Sequence, residues 1–340
     1  MLKKILLFFL VSNSFFAFAQ YTEVINSNRP GFSESPYSVG IGVYQLETGL
    51  FYSTSEIVPT FTRPESLGYS LFFRTNFFSD KLEFNSNITF QRDKVAFKNI
   101  FTSYYFTSGI SQFTFGAKYL MYEPTYKDKS KEIRSWKRKN AFDWKRTIPS
   151  VAIYLGINTN FLNDIHKQEK ITPKVGILLQ NNLSNDFNII SNIFYDYIGS
   201  EFSEISYIIT ATYSLNNYWS TFLEHQGAIN DYHAKYNFGT GVAYLVNKNF
   251  QIDVSTRLTF DNNASGFYSG IGVSYRLDRH RDFYKIVDNY GNEIRENNLN
   301  LPKRKNFFRR FLDFFKFKKS KKKSVKKKTR KRKKSSTKRK

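Results

Sequence analysis

The sequence has 340 residues, no cysteine and a formal net charge of +24, so disulfides and thiolate metal sites are excluded. Aromatic residues make up 18% of the chain, yet the mean hydropathy is -0.48. Beyond the N-terminal segment, no apolar run approaches the ~20 residues that a membrane-spanning helix needs. Many aromatic residues at low mean hydropathy are typical of an outer-membrane β-barrel, in which only every second strand residue faces lipid.

Residues 1–19 have the pattern of a secretory signal peptide. Two lysines give a basic start, residues 5–11 form a short apolar core, and the Ala-Phe-Ala of residues 17–19 is a small-x-small cleavage site. We therefore expect cleavage after residue 19 and export of the mature chain.

The next segment, residues 20–38, is a polar lead-in that contains several turn formers, such as Pro30 and Pro36. It delivers the chain into an alternating segment in which apolar residues such as Leu46 oppose Gln45 and Glu47. A strand of a soluble sandwich and a strand of a membrane barrel both fit this pattern.

Alternating segments recur along the chain at barrel-like spacing. The predicted strands are residues 41–53, 67–78, 81–91, 111–122, 148–158, 171–182, 187–198, 204–214, 218–228, 234–245, 249–260 and 266–277. Charged residues such as Asp253 and Arg257 recur opposite the apolar face, and aromatic residues gather near strand ends, which favours a barrel over a sandwich. We therefore predict an all-β fold, a single antiparallel transmembrane β-barrel of about 12 strands within residues 39–277.

Turn lengths predict the orientation of this barrel. Bacterial barrels have short periplasmic turns and longer outer loops, and four short turns fall on one side if the first strand runs outward: residues 78–81, 183–186, 215–218 and 246–249. Both termini are then periplasmic. Residues 92–110 are predicted to be an outer loop with at most a hairpin extension, because a thirteenth strand there would invert every later turn.

Four blocks resemble the outer-membrane barrel family named Putative MetA-pathway of phenol degradation. The residues that carry the first block are Arg29, Pro30, Phe32, Ser33, Glu34, Ser35, Pro36, Tyr44, Gln45, Leu46, Glu47 and Gly49. The later blocks are residues 115–124, 250–262 and 269–277. The resemblance implies a transporter-like barrel that resides in outer-membrane lipid and is inserted by the barrel-assembly machinery.

If the apolar face meets lipid, the charged residues of the other face line the lumen. They are Glu47, Arg74, Glu83, Lys118, Lys174, Asp196, Glu224, Asp253, Arg257 and Arg276. A channel selective for one sign of charge would show an excess of that sign, so this balanced set suits a neutral solute or salt bridges inside a plugged barrel. We expect the lead-in to act as a periplasmic plug, with Glu34 against Arg257 or Arg276.

Residues 278–302 are predicted to be a polar linker, followed by a basic tail, residues 303–340. The tail has 22 Lys and Arg residues and one acid. Helical spacing predicts a short amphipathic helix on a membrane surface, formed by Phe307, Phe308, Arg309, Arg310, Phe311 and Phe315. The rest of the tail is predicted to be disordered because its like charges repel.

Residues 126–146 are also basic and fall on the same side of the barrel by parity. We expect these residues and the tail, residues 303–340, to bind cell-wall polymer or anionic phospholipid, and a solvated tail without a partner is the alternative. Nucleic acid is not expected, since the chain is exported. Unchanged retention on the cell wall after deletion of the tail would reject the docking.

The sequence contains no recognisable catalytic or metal-binding motif, so neither an enzyme nor a cofactor is predicted. The four histidines are scattered, and His225 next to Glu224 would point to the opposite face of its strand. Two functions remain. One is a passive channel or transporter for small solutes, hydrophobic or aromatic ones among them, and the other is a structural barrel anchored through its basic periplasmic parts.

Overall fold

A computed structural model shows the chain as a closed barrel of twelve antiparallel strands. It describes residues 24–55, 64–96, 104–126, 135, 143–167, 170–230, 234–261 and 264–280. The predicted signal peptide, most of residues 126–146, the linker beyond residue 280 and the basic tail with its amphipathic helix lie outside the described residues.

The strands follow one another around the barrel in chain order, and β1 pairs with β12 to close it. Their bounds are β1 Val43–Ser55, β2 Glu65–Thr75, β3 Leu82–Ala96, β4 Tyr104–Tyr122, β5 Ser150–Asn158, β6 Thr172–Asn182, β7 Phe187–Asp196, β8 Glu204–Ser214, β9 Trp219–Ile229, β10 Ala234–Asn247, β11 Phe250–Asp261 and β12 Ala264–Asp278. The predicted all-β class and the count of twelve strands are confirmed.

Closure leaves no unpaired edge on the first and last strands. The pairing of β1 with β12 runs without a register shift from Val43 opposite Asp278 to Ser55 opposite Gly266. A continuous ladder of this kind satisfies the backbone hydrogen-bonding groups that lipid cannot satisfy.

The two ends of the barrel differ in their connections. One end, which we call the short-turn end, has brief turns after β2, β6, β8 and β10. The other, which we call the long-loop end, has longer connections after β1 and β5. The connection from β4 to β5, at the short-turn end, includes the 3₁₀ helix Trp144–Thr147. Among the described residues, no helix has the length and apolar character needed to cross a membrane.

Apolar and polar residues alternate between the two faces of the barrel wall. On β1, Leu50 is 67% exposed on the outer face, whereas Glu47 is 1% exposed inside. Aromatic rings mark both ends of the outer face: Tyr69 stacks on Phe90 toward the long-loop end, and Trp219 lies 4.7 Å from the Tyr244 ring at the short-turn end. Such girdles belong at the two interfaces of a lipid bilayer.

Candidate functional site: the lumen and its lead-in

The lead-in folds back into the lumen from the short-turn end. The Ile25 N–H donates to the Lys248 carbonyl at 2.8 Å in the turn between β10 and β11. The chain then rises to Phe32, near the mid-height of β9, and returns so that the Tyr37 hydroxyl lies 2.7 Å from the hydroxyl of Ser150 at the start of β5. The lead-in therefore occupies the half of the lumen next to the short-turn end.

Four of the predicted lumenal residues form one buried ion-pair network. Arg74 lies 3.2 Å from Glu47 and 2.8 Å from Glu83, and Lys118 lies 2.9 Å from Glu83. None of these side chains is more than 1% exposed. Buried charges need this alternation of sign, because each loses the water that would otherwise solvate it.

The same network holds the backbone of the lead-in. The Glu47 carboxylate accepts hydrogen bonds from the N–H groups of Asn28 and Arg29, at 3.1 and 3.3 Å. The bases of the network donate to lead-in carbonyls at 2.7 Å, Arg74 to Asn26 and Lys118 to Ser35. Wall charges therefore act on peptide groups of the lead-in as well as on each other.

Arg29 is the one charge of the lead-in that pairs with a wall residue of opposite sign among the described ion pairs. Its Nη2 lies 3.1 Å from Asp253 on β11. Two glycines make room for it: a Cβ added at Gly49 would lie 2.5 Å from the guanidinium, and one at Gly272 would overlap it. Three of the four family-like sequence blocks contact one another at this site. They contribute Arg29 and Gly49, Asp253, and Gly272, respectively.

A second anchor lies deeper in the lumen, where the lead-in turns. Glu224 accepts from the N–H groups of Phe32 and Ser33, at 2.8 and 3.3 Å, and lies 3.2 Å from Arg257. The Arg257 guanidinium covers the Phe32 ring, and the Tyr268 ring meets Phe32 edge-on. The turn is thus fixed by a carboxylate on one side and by a cation–π contact on the other.

Glu34 does not meet an arginine, so the predicted contact with Arg257 or Arg276 is wrong. Its carboxylate accepts from Asn85 at 3.3 Å, while Arg257 pairs with Glu224 and Arg276 donates to Asn249 at 2.8 Å. Burial raises the pKa of Glu34, although Lys118 and Lys174 act in the opposite direction by favouring the charged form.

Uncharged amides that were not predicted from the sequence also bind the lead-in. Asn192 binds both backbone groups of Glu34, accepting from its N–H at 2.7 Å and donating to its carbonyl at 2.8 Å. Gln180 accepts from the Ser35 hydroxyl at 2.8 Å, and Asn76 donates to the Ser38 hydroxyl at 2.8 Å. All three amides lie inside the barrel, and the strand alternation that located the charged set extends to those on β6 and β7.

The remaining members of the charged set also lie inside the barrel. Lys174 and Asp196 pair at 2.7 Å toward the long-loop end, away from the lead-in. His225 points outward, 4.5 Å from the Phe238 ring, while its neighbour Glu224 points inward. Within the described residues, no group of three or more His, Asp and Glu side chains is placed to hold a metal ion.

The lumen also contains an apolar patch and a polar cavity. The patch, Leu120, Ala152, Tyr154, Leu178 and Phe194, lies on β4 to β7, and Tyr37 of the lead-in packs against it. The cavity, about 250 Å³, lies between the lead-in and the opposite part of the wall. The lead-in thus fills the lumen unevenly.

A transmembrane β-barrel with a segment of its own chain bound inside the lumen is the class that fold and site define. The sequence profile of the family described as Putative MetA-pathway of phenol degradation matches residues 27–277, and the chain belongs to this family. The matched region begins inside the lead-in and ends in β12, so it includes both the inner segment and the wall that binds it. No curated protein sequence matches the chain at a significant level.

Three solved structures are similar in fold. An outer membrane channel from Pseudomonas putida F1 has 9% sequence identity and a TM-score of 0.52, with 74% of this chain and 100% of that chain covered. The KdgM porin has 9% identity and a TM-score of 0.40, covering 68% and 99%. The CymD monoaromatic hydrocarbon channel has 9% identity and a TM-score of 0.39, covering 71% and 90%. The first of these similarities is one of fold alone, a closed antiparallel β-barrel.

Proposed function

We propose that this protein is a passive outer-membrane channel for small solutes, and that the lead-in closes the main lumen in the state described. The proposal is supported by the complementary fit between the lead-in and the inner wall. Wall residues Glu47, Glu224 and Asn192 each bind backbone groups of the lead-in. A barrel that served only as an anchor would not need an inner wall complementary to a removable segment.

The orientation of the barrel in the membrane is part of this proposed function. The short-turn end faces the periplasm, so both termini lie there and the lead-in closes the periplasmic mouth. Withdrawal of the lead-in would remove Tyr37 from the apolar patch on β4 to β7. The open lumen would then offer both charged and apolar wall segments, which suits hydrophobic or aromatic solutes as well as polar ones.

The carboxylates that hold the lead-in give no support for catalysis. The carboxylates Glu47, Glu83 and Glu224 are engaged by cations or by lead-in N–H groups, whereas a general base must be able to reach a substrate proton. Their bonds explain how the lead-in is held, which is the role that a channel requires of them.

Conductance in a planar bilayer tests the proposal. The mature chain is expected to show low conductance, and a variant without residues 20–38 a larger and steadier one. A variant without residues 303–340, which keeps the lead-in, serves as the control and should resemble the mature chain. Equal absence of conductance and of solute uptake with and without the lead-in would contradict a channel.

A further inference from the structure

The polar cavity beside the lead-in is the feature of the lumen that the closed state does not explain. Its wall side is formed by β6 to β9 and β11, and its inner side by residues 25–35 of the lead-in. Residues near the short-turn end line one part of it, Ser214 and Ser220 among them, and Thr210 lines it near the level of Glu224. The cavity therefore runs along the wall, parallel to the lead-in.

The lining has a consistent chemistry. Hydroxyl and amide side chains predominate, including Asn28, Ser33, Gln180, Asn188 and Thr212. The one charged lining residue, Arg29, already pairs with Asp253. A surface of this kind offers donors and acceptors in many directions but no net charge, which favours an uncharged hydrogen-bonding solute over an ion or an apolar molecule.

We propose that this cavity is the solute-binding segment for small uncharged polyhydroxylated molecules such as polyols and pentoses, an inference that rests on the proposed channel function. Such molecules use it while the lead-in remains bound elsewhere in the lumen. The turn at Gly31, Phe32 and Ser33, held by Glu224, bounds the cavity on the inner side. Passage requires local movement of this turn, and the Arg29–Asp253 pair stays in place.

Gly31 lies close to the wall at this turn. A Cβ added there would lie 2.8 Å from the Glu224 carboxylate. A side chain at Gly31 would meet the Glu224 carboxylate, so the contact between this turn and Glu224 bounds the segment.

The test uses the mature chain in proteoliposomes and measures osmotic uptake of glycerol, arabinose and benzoate. Thr212→Phe on β8 and Ser220→Phe on β9 each place a ring in the cavity from a different strand, so one remains informative if the other fails to fold. Ala211→Phe is the matched control, because it adds the same ring on the outer face of β8, next to Thr212 in sequence.

Wild type and the Ala211→Phe control are expected to take up glycerol and arabinose faster than benzoate. Each cavity variant should lose at least about fivefold of the polyol uptake, since flux depends on the narrowest polar segment of a pore. Unchanged polyol uptake in folded cavity variants, or preferred benzoate uptake by wild type, would overturn the binding segment while leaving a channel. Absence of all uptake, even without residues 20–38, would overturn both proposals.

Discussion

At the scale of single residues, the lead-in is held by a few charged groups that have exchanged water for protein partners. The Asp253 side chain is fully buried, and its cationic partner among the described ion pairs is Arg29, which belongs to the lead-in and not to the barrel wall. Removing one member of a buried pair leaves the other charge without compensation, which costs more than the pair itself contributes. Arg29 is therefore the position at which a single change should most affect binding of the lead-in.

Arg29→Ala is expected to weaken lead-in binding by about 3 kcal/mol, or about 100-fold in the equilibrium constant. Because the chain has no cysteine, Ser33→Cys introduces a unique thiol at a buried lead-in position. Its labelling rate with a polyethylene glycol maleimide, which is too large for the cavity of about 250 Å³ that Ser33 lines, reports the released fraction. Adding Asp253→Asn to Arg29→Ala should recover part of the loss. Lys94→Met, at the ion pair with Glu65 on the outer face of the wall, should leave the rate nearly unchanged.

Glu34 makes lead-in binding depend on pH. Its pKa is raised from the ordinary value of 4.5 by burial, so the bound state keeps its proton over a range in which the released state has lost it. Binding is strongest below the ordinary value, and it weakens as the pH rises through the raised pKa.

Glu34→Gln is expected to remove this pH dependence, since glutamine cannot ionise and keeps an oxygen for Asn85. Labelling of Ser33→Cys would be compared with and without Glu34→Gln at each pH, so that the chemistry of the reagent cancels in the ratio. The labelling rate of Ser33→Cys alone, divided by that of Ser33→Cys combined with Glu34→Gln, should increase from pH 4 upward. A ratio that stays constant across the range would show that Glu34 is released and bound with the same ionisation.

At the scale of strands, the sequence predicted the wall better than what lies inside it. Period-two alternation locates all twelve strands because lipid and lumen impose opposite polarity on successive residues. After Phe90 the outward-facing positions of β3 are no longer apolar, because Arg92 and Lys94 occupy them. The structure continues the β3–β4 hairpin there to Ala96 opposite Tyr104, with those cations over the rings of Phe106 and Tyr104.

The lead-in could not be predicted in the same way, because it has no repeating pattern. Its path depends on single contacts between residues far apart in sequence, such as the Phe32 N–H with Glu224 and the Ser35 hydroxyl with Gln180. The sequence indicated a plug from the turn formers and the strand that follows. It gave no register between plug and wall, and the expected partner of Glu34 was wrong for that reason.

The strand glycines on the inner face are part of the binding surface for the lead-in. Gly272→Ala on β12 is expected to displace the Arg29 guanidinium, at a cost of about 1–3 kcal/mol for overpacking, and to raise the labelling rate at Ser33→Cys by about tenfold. Gly109→Ala on the inner face of β4, near the long-loop end, is the control, because its added methyl would lie 2.8 Å from Asn163 and not against the lead-in. Equal labelling rates in the two variants would show that the space beside Gly272 is not needed.

At the scale of the whole molecule, the charges divide into two very different groups. The tail, residues 303–340, carries most of the net charge of +24, whereas the charged set predicted to line the lumen has five acids and five bases. Within the wall the pairs are local: Glu47, Arg74, Glu83 and Lys118 compensate one another without the lead-in. The basic character of the sequence therefore says little about which ions the lumen would pass.

A barrel opened by deletion of residues 20–38 is accordingly expected to discriminate weakly between cations and anions. The deletion removes Glu23, Arg29 and Glu34, and among the described wall charges only Asp253 loses an ion-pair partner. Strong selectivity requires a ring of one sign at the constriction, and no such ring forms among the described inner residues. The reversal potential in a potassium chloride gradient should lie close to zero, with Asp253→Asn in the same background shifting it slightly toward anion preference. A reversal potential near the Nernst value for either ion would contradict local pairing, because loss of the lead-in leaves only the single wall charge of Asp253 without its ion-pair partner.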